Sequence, residues 1–595
     1  MRFLGLLLIS ILASLHSLPY GSLSAQEVSD CNLRQFQFRA VELEAADWIH
    51  WGDRSSRFSN WTNHSNRLIP VYTWGLSLDS VKDENSPYRD EDQIKEIYGG
   101  LPAETLNPDA NYFDQTQIYD LQRQAWKSGK KNIILMIFDG MDWQTTQAAS
   151  IYRNRKVLYE KGRGTGLAIL DYKKEDSDFG YCVTSAFSKA PKYDIDAQVV
   201  TTPNPLAGGY SAQFGGAAPW SKPGDPSYLL GKRRTLSHIF TDSAASATSM
   251  NTGYKTYNAA INLDPQGKRL RTLAHEMQEH GVGIGVVTSV PLSHATPAAV
   301  YSHNVHRNDY QDLTRDLLGL KSASHRDTPL AGVDVLIGCG WGSNIKDDRS
   351  KQGRNFIPGN VYLTDESLEK ADVATGGKYT VVQRTSGTDG GELLLQSASK
   401  AAREGTRLLG FFGVKGSHLP FQTADGKFDP TRGVSKAHRY KPAEISENPT
   451  LADMANAALT VLQENKNGFY LMLEAGEVDK ANHNNNIDDA IGAVLSGDTA
   501  FTAITSWVEK NSNWEETCLI VTADHGHMMV LDDPSVLTGQ RQPESEEAFK
   551  KKRQAKQKRD AAREKKRQAA AKAKAMAQKE KAEKEKTEKA KAETN

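Results

Sequence analysis

The chain has 595 residues, 38% apolar and 25% charged, with 73 Lys and Arg against 73 Asp and Glu. This length allows one large domain with additions, or two domains, and the apolar share is modest but enough for a buried core. The neutral total describes no part of the chain: Lys550 to Asn595 carries 19 basic and 7 acidic residues, a local +12 that the remainder balances with −12.

Residues 1–25 read as a signal peptide. Arg2 gives the positive start, Phe3 to Leu15 is a short apolar run, and small residues around Ser22 to Ala25 offer a cleavage site after Ala25. An exported location, periplasmic, secreted or at the cell surface, follows as the expectation. No later apolar run reaches the about 18 residues needed to cross a bilayer. The four cysteines, Cys31, Cys182, Cys339 and Cys518, are scattered, and their spacing defines no pairing.

Residues 26–130 form an N-terminal segment ahead of the first strong strand, Asn132 to Phe138. Further apolar runs follow at Val282 to Val290, Val333 to Cys339, Leu408 to Phe412, Phe469 to Leu473 and Cys518 to Thr522. Runs apolar on both faces suit central strands covered by helices on each side. Between them, Leu451, Met454, Ala458 and Leu462 mark a helix started by Pro449-Thr450, and Ile487 to Val508 marks a longer one with an interruption expected at Gly497. The alternation predicts a three-layer α/β/α sandwich with a mostly parallel sheet, occupying 131–540. Thr201 to Gly231 reads as a long surface loop and 341–448 as a cap-like insertion. Residues 541–595, rich in Lys, Glu and Ala, read as a solvated helix or disordered tail that builds no core.

Acidic and histidine residues gather where these strands end. Asp139 closes the first strand, His294 and Thr296 follow the second, Glu474 ends FYLML with Asp479 and His483 just beyond, and Asp524 and His525 follow CLIVT. In open α/β sheets that edge is where ligands bind. So many converging carboxylates would repel one another, and divalent cations are the natural counter-charge: mixed Asp and His suits zinc, while Asp, Glu and Thr oxygens suit magnesium. Ser243, in Thr241-Asp242-Ser243-Ala244-Ala245-Ser246, stands at the start of a small-residue helix, where backbone N–H groups and the helix dipole favour an anion.

These motifs together resemble the alkaline phosphatases. The resemblance rests on TDSAASAT with Thr252 to Asn258, on His294-Ala295-Thr296-Pro297, on Glu474 to Lys480 with His483, and on Thr522 to His527. It runs from about Lys131 to His527. Carried over residue by residue, it implies hydrolysis of phosphate monoesters through a phosphoserine on Ser243, with two Zn2+ and one Mg2+. Asp139, Asp524 and His525 would hold one zinc, Asp479 and His483 the other, and Asp139, Thr296 and Glu474 the magnesium. Arg307 falls where the family places its phosphate-binding arginine, and His527 in a position to orient a ligand.

The chain also departs from the family. Asp142 stands where Gly is usual, and His294 and Lys480 differ from some members at positions near the magnesium and the phosphate. No histidine follows His527, so the usual C-terminal zinc ligand has no counterpart there. His64-Ser65, followed by Tyr72 and Gly75, repeats the order of that C-terminal segment. His64 is therefore the expected third ligand, carried on a strand permuted to the N-terminus, with His50 as the fallback. Expected partners are small phosphate monoesters, a second copy of the chain as in dimeric relatives, and an anionic surface for the basic tail; no specific nucleic acid is expected. The alternatives are a phosphodiesterase of the same superfamily or an inactive phosphate- or metal-binding relative. No Cys-x-Pro-x-Arg sulfatase signature is present.

Overall fold

The structure, a computed structural model, describes residues 32–592 apart from 55–57, 59–60, 234, 236–237 and 436. The expected signal peptide and Cys31 lie outside the described residues. The other three cysteines are buried and free. Among the described residues no helix is long and apolar enough to cross a membrane.

One ten-stranded sheet organises the chain. Its strands, numbered in chain order, are β1 (Ile69–Trp74), β2 (Phe113–Asp114), β3 (Asn132–Phe138), β4 (Ser177–Val183), β5 (Gly283–Pro291), β6 (Val335–Cys339), β7 (Tyr379–Gln383), β8 (Arg407–Phe412), β9 (Phe469–Ala475) and β10 (Thr517–Thr522). Their spatial order is β7-β8-β6-β5-β9-β3-β10-β1-β4-β2. Neighbours from β7 to β10 are parallel, whereas β1 runs antiparallel to both β10 and β4. The helices used below are α1 (Leu33–Leu43), α2 (Trp143–Asn154), α3 (Ser243–Thr252), α4 (Tyr310–Leu318), α5 (Gly390–Glu404), α6 (Leu451–Leu462), α7 (Glu477–His483), α8 (Ile487–Asn511) and α9 (Glu546–Ala592).

The sheet is covered on both faces, giving the expected α/β sandwich. Successive residues of β9 show it: the Phe469 ring packs edge-on against Trp507 of α8, while the Tyr470 hydroxyl donates to Asn251 of α3 on the other side. β3 and β9 can therefore be apolar at nearly every position. The helix over 487–511 is continuous. Gly497 does not interrupt it; a Cβ there would lie 2.1 Å from the Phe138 ring, so glycine lets α8 approach β3 closely. Helix α6 begins as expected, with Thr450 and Asp453 forming a reciprocal cap.

Two expectations need correction. Segment 341–448 is not simply a cap, because β7, β8 and α5 belong to the sandwich itself, while Tyr362 and residues from about 416 to 438 border the site described below. Segment 201–231 holds two short helices, and Tyr210, Tyr228 and Leu229 are buried in a satellite core with Tyr88, Tyr98 and Tyr112. The tail is the helix α9. Phe549 docks it on α1 under Arg39, with ion pairs Arg39–Glu546 and Arg553–Glu42 beside it; most of the described side chains beyond stand in solvent.

Candidate metal and phosphate site

The site forms where the C-terminal ends of β5, β9, β3 and β10, four adjacent strands, meet the start of antiparallel β1. Parallel pairing places Asp139, Glu474 and the Asp524-His525 turn along one edge of the sheet. Because Val71 pairs with Thr522, the chain entering β1 passes the same edge, and Ser65 N donates to Gly526 O at 2.7 Å. That pairing sets His64 beside His525, with the two rings stacked 3.6 Å apart.

Local packing explains how so many ligand-type side chains fit. Gly140 has φ +72°, and a Cβ there would lie 2.8 Å from His527 Nε2 and 2.9 Å from Asp479 Cα, so only glycine lets the turn after β3 pass under α7. Asp142, the departure from the family pattern, caps α2 by accepting from Thr145 N, and it also accepts from Met529 N. Helix α3 is buried along its whole length, which its Ala, Ser and Thr content permits. Its N-cap, Asp242, accepts from Ala245 N and Ala259 N and takes Arg307 Nη1 at 3.0 Å. Burial alone would raise the Asp242 carboxyl, but Arg307 and the two N–H groups hold it below the usual range. One carboxylate thus positions both Ser243 and Arg307.

The side chains converge tightly. His525 Nε2 lies 3.3 Å from Ser243 Oγ, 3.4 Å from Asp139 Oδ1 and 3.3 Å from Asp524 Oδ2. Asp479 Oδ1 lies 2.8 Å from His527 Nε2, 3.3 Å from His483 Nε2 and 3.6 Å from His64 Nε2. Two groups bring donor atoms within 4.8 Å of one another: His64, Asp479, His525 and His527, and Asp139, Asp524 and His525. Four buried oxygens here, Asp139 Oδ1, Asp524 Oδ2, Glu474 Oε1 and Thr296 Oγ1, have no hydrogen-bond partner of good geometry.

The histidine tautomers are informative. His64 Nδ1 meets Thr241 O at 2.9 Å, and His483 Nδ1 meets Thr62 O at 2.5 Å. Each neutral ring spends its one N–H on a carbonyl, so two Nε2 lone pairs face each other at 3.1 Å. Two lone pairs in contact repel, and a cation between them turns that repulsion into ligation. Burial depresses both rings to about 4, keeping them neutral near pH 7. Burial, then Asp479, Asp524 and Glu474, drive Asp139 well above the usual carboxylate range; burial pushes Glu474 to about 7 and Asp524 to about 6. Asp479 goes the other way: against its burial, the neighbouring His483, Lys480 and the hydrogen bond from His527 push its carboxyl well below the usual range. The donors fit divalent cations, whose charge would let these carboxylates lie together ionised.

A cavity of about 230 Å³ opens beside this centre, lined in part by Trp61, His294, Tyr362, His418, Lys480 and His483. Trp61 stacks on His483 at 4.1 Å. His294 borders this cavity and takes no part in either close-packed donor group. His418, Tyr362 and Trp61 were not singled out from the sequence. His418 and Tyr362 come from loops remote from every motif, whereas Trp61 stands three positions before His64. His50 lies elsewhere, paired with Asp532 at 2.8 Å.

The model of the family described as "Alkaline phosphatase" matches residues 225–595, more than half of the chain. The chain belongs to the alkaline phosphatase family. Alkaline phosphatase 4 of Bacillus subtilis is 28% identical over 306 residues, covering 51% of this chain and 50% of that protein. The alkaline phosphatase of Escherichia coli is 29% identical over 317 residues, covering 52% of this chain and 62% of that protein. The chain thus spans about half the length of the curated alkaline phosphatases it matches. Among solved structures, the Thermus thermophilus alkaline phosphatase aligns with TM-score 0.40 at 22% identity, covering 67% of this chain and 60% of that one. A cold-active alkaline phosphatase of Shewanella sp. aligns with TM-score 0.37 at 21% identity, covering 67% and 68%.

Proposed function

We propose that this member of the family hydrolyses phosphate monoesters through a phosphoserine on Ser243, at a centre of two zinc ions and one magnesium ion. The observation that carries the reading is the pair of imidazole lone pairs facing each other across 3.1 Å beside Asp479, next to the Asp139, Asp524 and His525 cluster that Ser243 Oγ adjoins, 3.3 Å from His525. Asp139, Asp524 and His525 would hold one zinc. Asp479, His483 and His64 would hold the other, so that the ligand missing after His527 enters from the N-terminal side as a permuted strand. Asp139, Thr296 and Glu474 would hold magnesium. Bound there, such ions neutralise the carboxylates and stabilise charge on the entering and departing oxygens.

The chain's own residues do the rest. Ser243 Oγ attacks phosphorus, the bond to the ester oxygen breaks, and the alcohol departs on the opposite side. Arg307, held by Asp242, presents its planar fork to two phosphate oxygens. Lys480 adds positive charge at the cavity wall. Water then attacks the phosphoserine, releasing phosphate and restoring the Ser243 hydroxyl. A cationic fork suits a terminal phosphate dianion better than a diester monoanion, which favours a monoesterase over a phosphodiesterase.

The test is turnover of 4-nitrophenyl phosphate with zinc and magnesium supplied, with acid quenching to trap phosphoserine. Ser243→Ala should fold and keep its metals yet lose at least about 10³-fold in turnover, with no trapped phosphate. Near-normal turnover in that variant would overturn the mechanism.

A further inference from the structure

A second histidine–carboxylate cluster lies outside the proposed catalytic centre and shares no residue with it. We propose that His303, Asp316 and His325 bind a zinc ion. The three are buried, and their donor atoms all lie within 4.8 Å of one another.

The geometry suits zinc. His303 Nδ1 and His325 Nε2 are 3.1 Å apart, and Asp316 Oδ2 is 3.9 Å from His325 Nε2. Two nitrogens on a tetrahedral zinc at about 2.05 Å would be roughly 3.3 Å apart. Two imidazoles and a carboxylate form a donor set that zinc accepts readily.

The surroundings orient the donors. His303 Nε2 meets Leu270 O at 2.7 Å, so its N–H is spent and Nδ1 presents a lone pair. The Thr328 backbone also forms a hydrogen bond with His325. Asp316 is held from both sides: Ser322 Oγ donates to Oδ1 at 2.5 Å and His303 N donates to Oδ2 at 3.0 Å. Such outer contacts fix ring and carboxylate as ligands. Burial depresses His325 to about 4 and His303 well below the usual range, so both are neutral near pH 7. A cavity of about 460 Å³, bordered by His275, His303 and Tyr301, lies on one side of His303. Arg269, whose guanidinium is bound to Ser324 O, puts one positive charge nearby and sets a lower affinity than a wholly neutral shell would give.

The position gives such an ion a purpose. His303 stands four residues before Arg307, Asp316 lies on α4, and His325 lies in the loop from 319 to 334. One ion would tie that loop and that helix to the backbone leading to the phosphate-binding arginine.

Metal content per chain, measured on dialysed full-length protein, decides the matter. His325→Ala and Asp316→Asn should each lose about one zinc while the Ser243 centre keeps its own. Conversely, a His64→Ala, Asp524→Asn double variant should retain about one zinc that these additional substitutions remove. If His325→Ala fails to fold, cobalt added to the double variant should give the visible absorption of a tetrahedral site. No metal in the double variant, or unchanged metal in His325→Ala, overturns the proposal and leaves a plain imidazole–imidazole hydrogen bond in its place.

Discussion

The proposed catalytic edge and the tail helix are both dense in charge, and they treat it in opposite ways. At the edge, Asp139, Glu474, Asp479 and Asp524 are buried, and three of them are pushed towards protonation. Along α9 most charges face water and can pair one turn apart, as in Lys551–Glu547 at 2.8 Å. Exposed pairs of this kind contribute roughly 0.3–0.5 kcal/mol each. The contrast separates two uses of charge. Buried like charges hold a strained arrangement that a cation relieves, so they are coupled to binding; exposed ones set solubility and surface potential and are coupled to little else.

The largest break in this contrast should come from removing the cations. Chelation of the wild-type protein is expected to lower turnover by more than about 10³-fold and to reduce its thermal stability, measured by calorimetry before and after dialysis against a chelator. The stabilisation by metal should also shrink as pH falls. Glu474 and Asp524 must lose protons to serve as ligands, and with values of about 7 and 6 they take them up below neutrality. The gap in Tm between loaded and stripped protein should therefore widen from pH 5 to pH 8; a gap independent of pH would show that these carboxylates are not ligands.

His64→Ala comes next. It is expected to lose about one zinc and to slow phosphoserine hydrolysis by roughly 10–100-fold, read as accumulation of phosphoenzyme after acid quench. Unchanged zinc and unchanged hydrolysis would remove His64 from the centre. Gly140→Ala should cost about 2–3 kcal/mol in chemical denaturation, since it forces a side chain into a left-handed turn against His527 and Asp479. The smallest effect belongs to the tail. A stop after Asp560 keeps Phe549 and its contacts with α1, so turnover and stability should stay within about 0.5 kcal/mol of the full chain. A collapse in the folded truncation would mean that the exposed helix supports the site.

How far the sequence reveals this architecture depends on how local each signal is. β3, β9 and β10 are legible because strands buried on both faces become continuous apolar runs. The turn residues after them are legible because ligand-type side chains cluster within a few positions of each run. β7 is harder to see: Tyr379–Gln383 mixes polar and apolar residues at the sheet edge, so its segment reads as an insertion although it extends the sheet. Gly497 suggests a break because glycine weakens an isolated helix, whereas here the missing side chain is what packing against Phe138 demands. The cavity wall around His418 and Tyr362 is least legible, since loops meet there only through tertiary structure.

Antiparallel β1 also carries a consequence for how the protein comes into being. His64 leaves the ribosome early, yet its ring meets His483, 419 residues later, and rests on His525 beyond that. β1 finds its partner β10 only when the chain through Thr522 has been made. Pairings of such long sequence separation form slowly. A nascent chain therefore carries its early histidine without the later ones, and on the proposed ligand set it would complete the His64 zinc site only once β10 is in place. On that ligand set, the order of the polypeptide would make metal uptake wait for the pairing of β1 with β10.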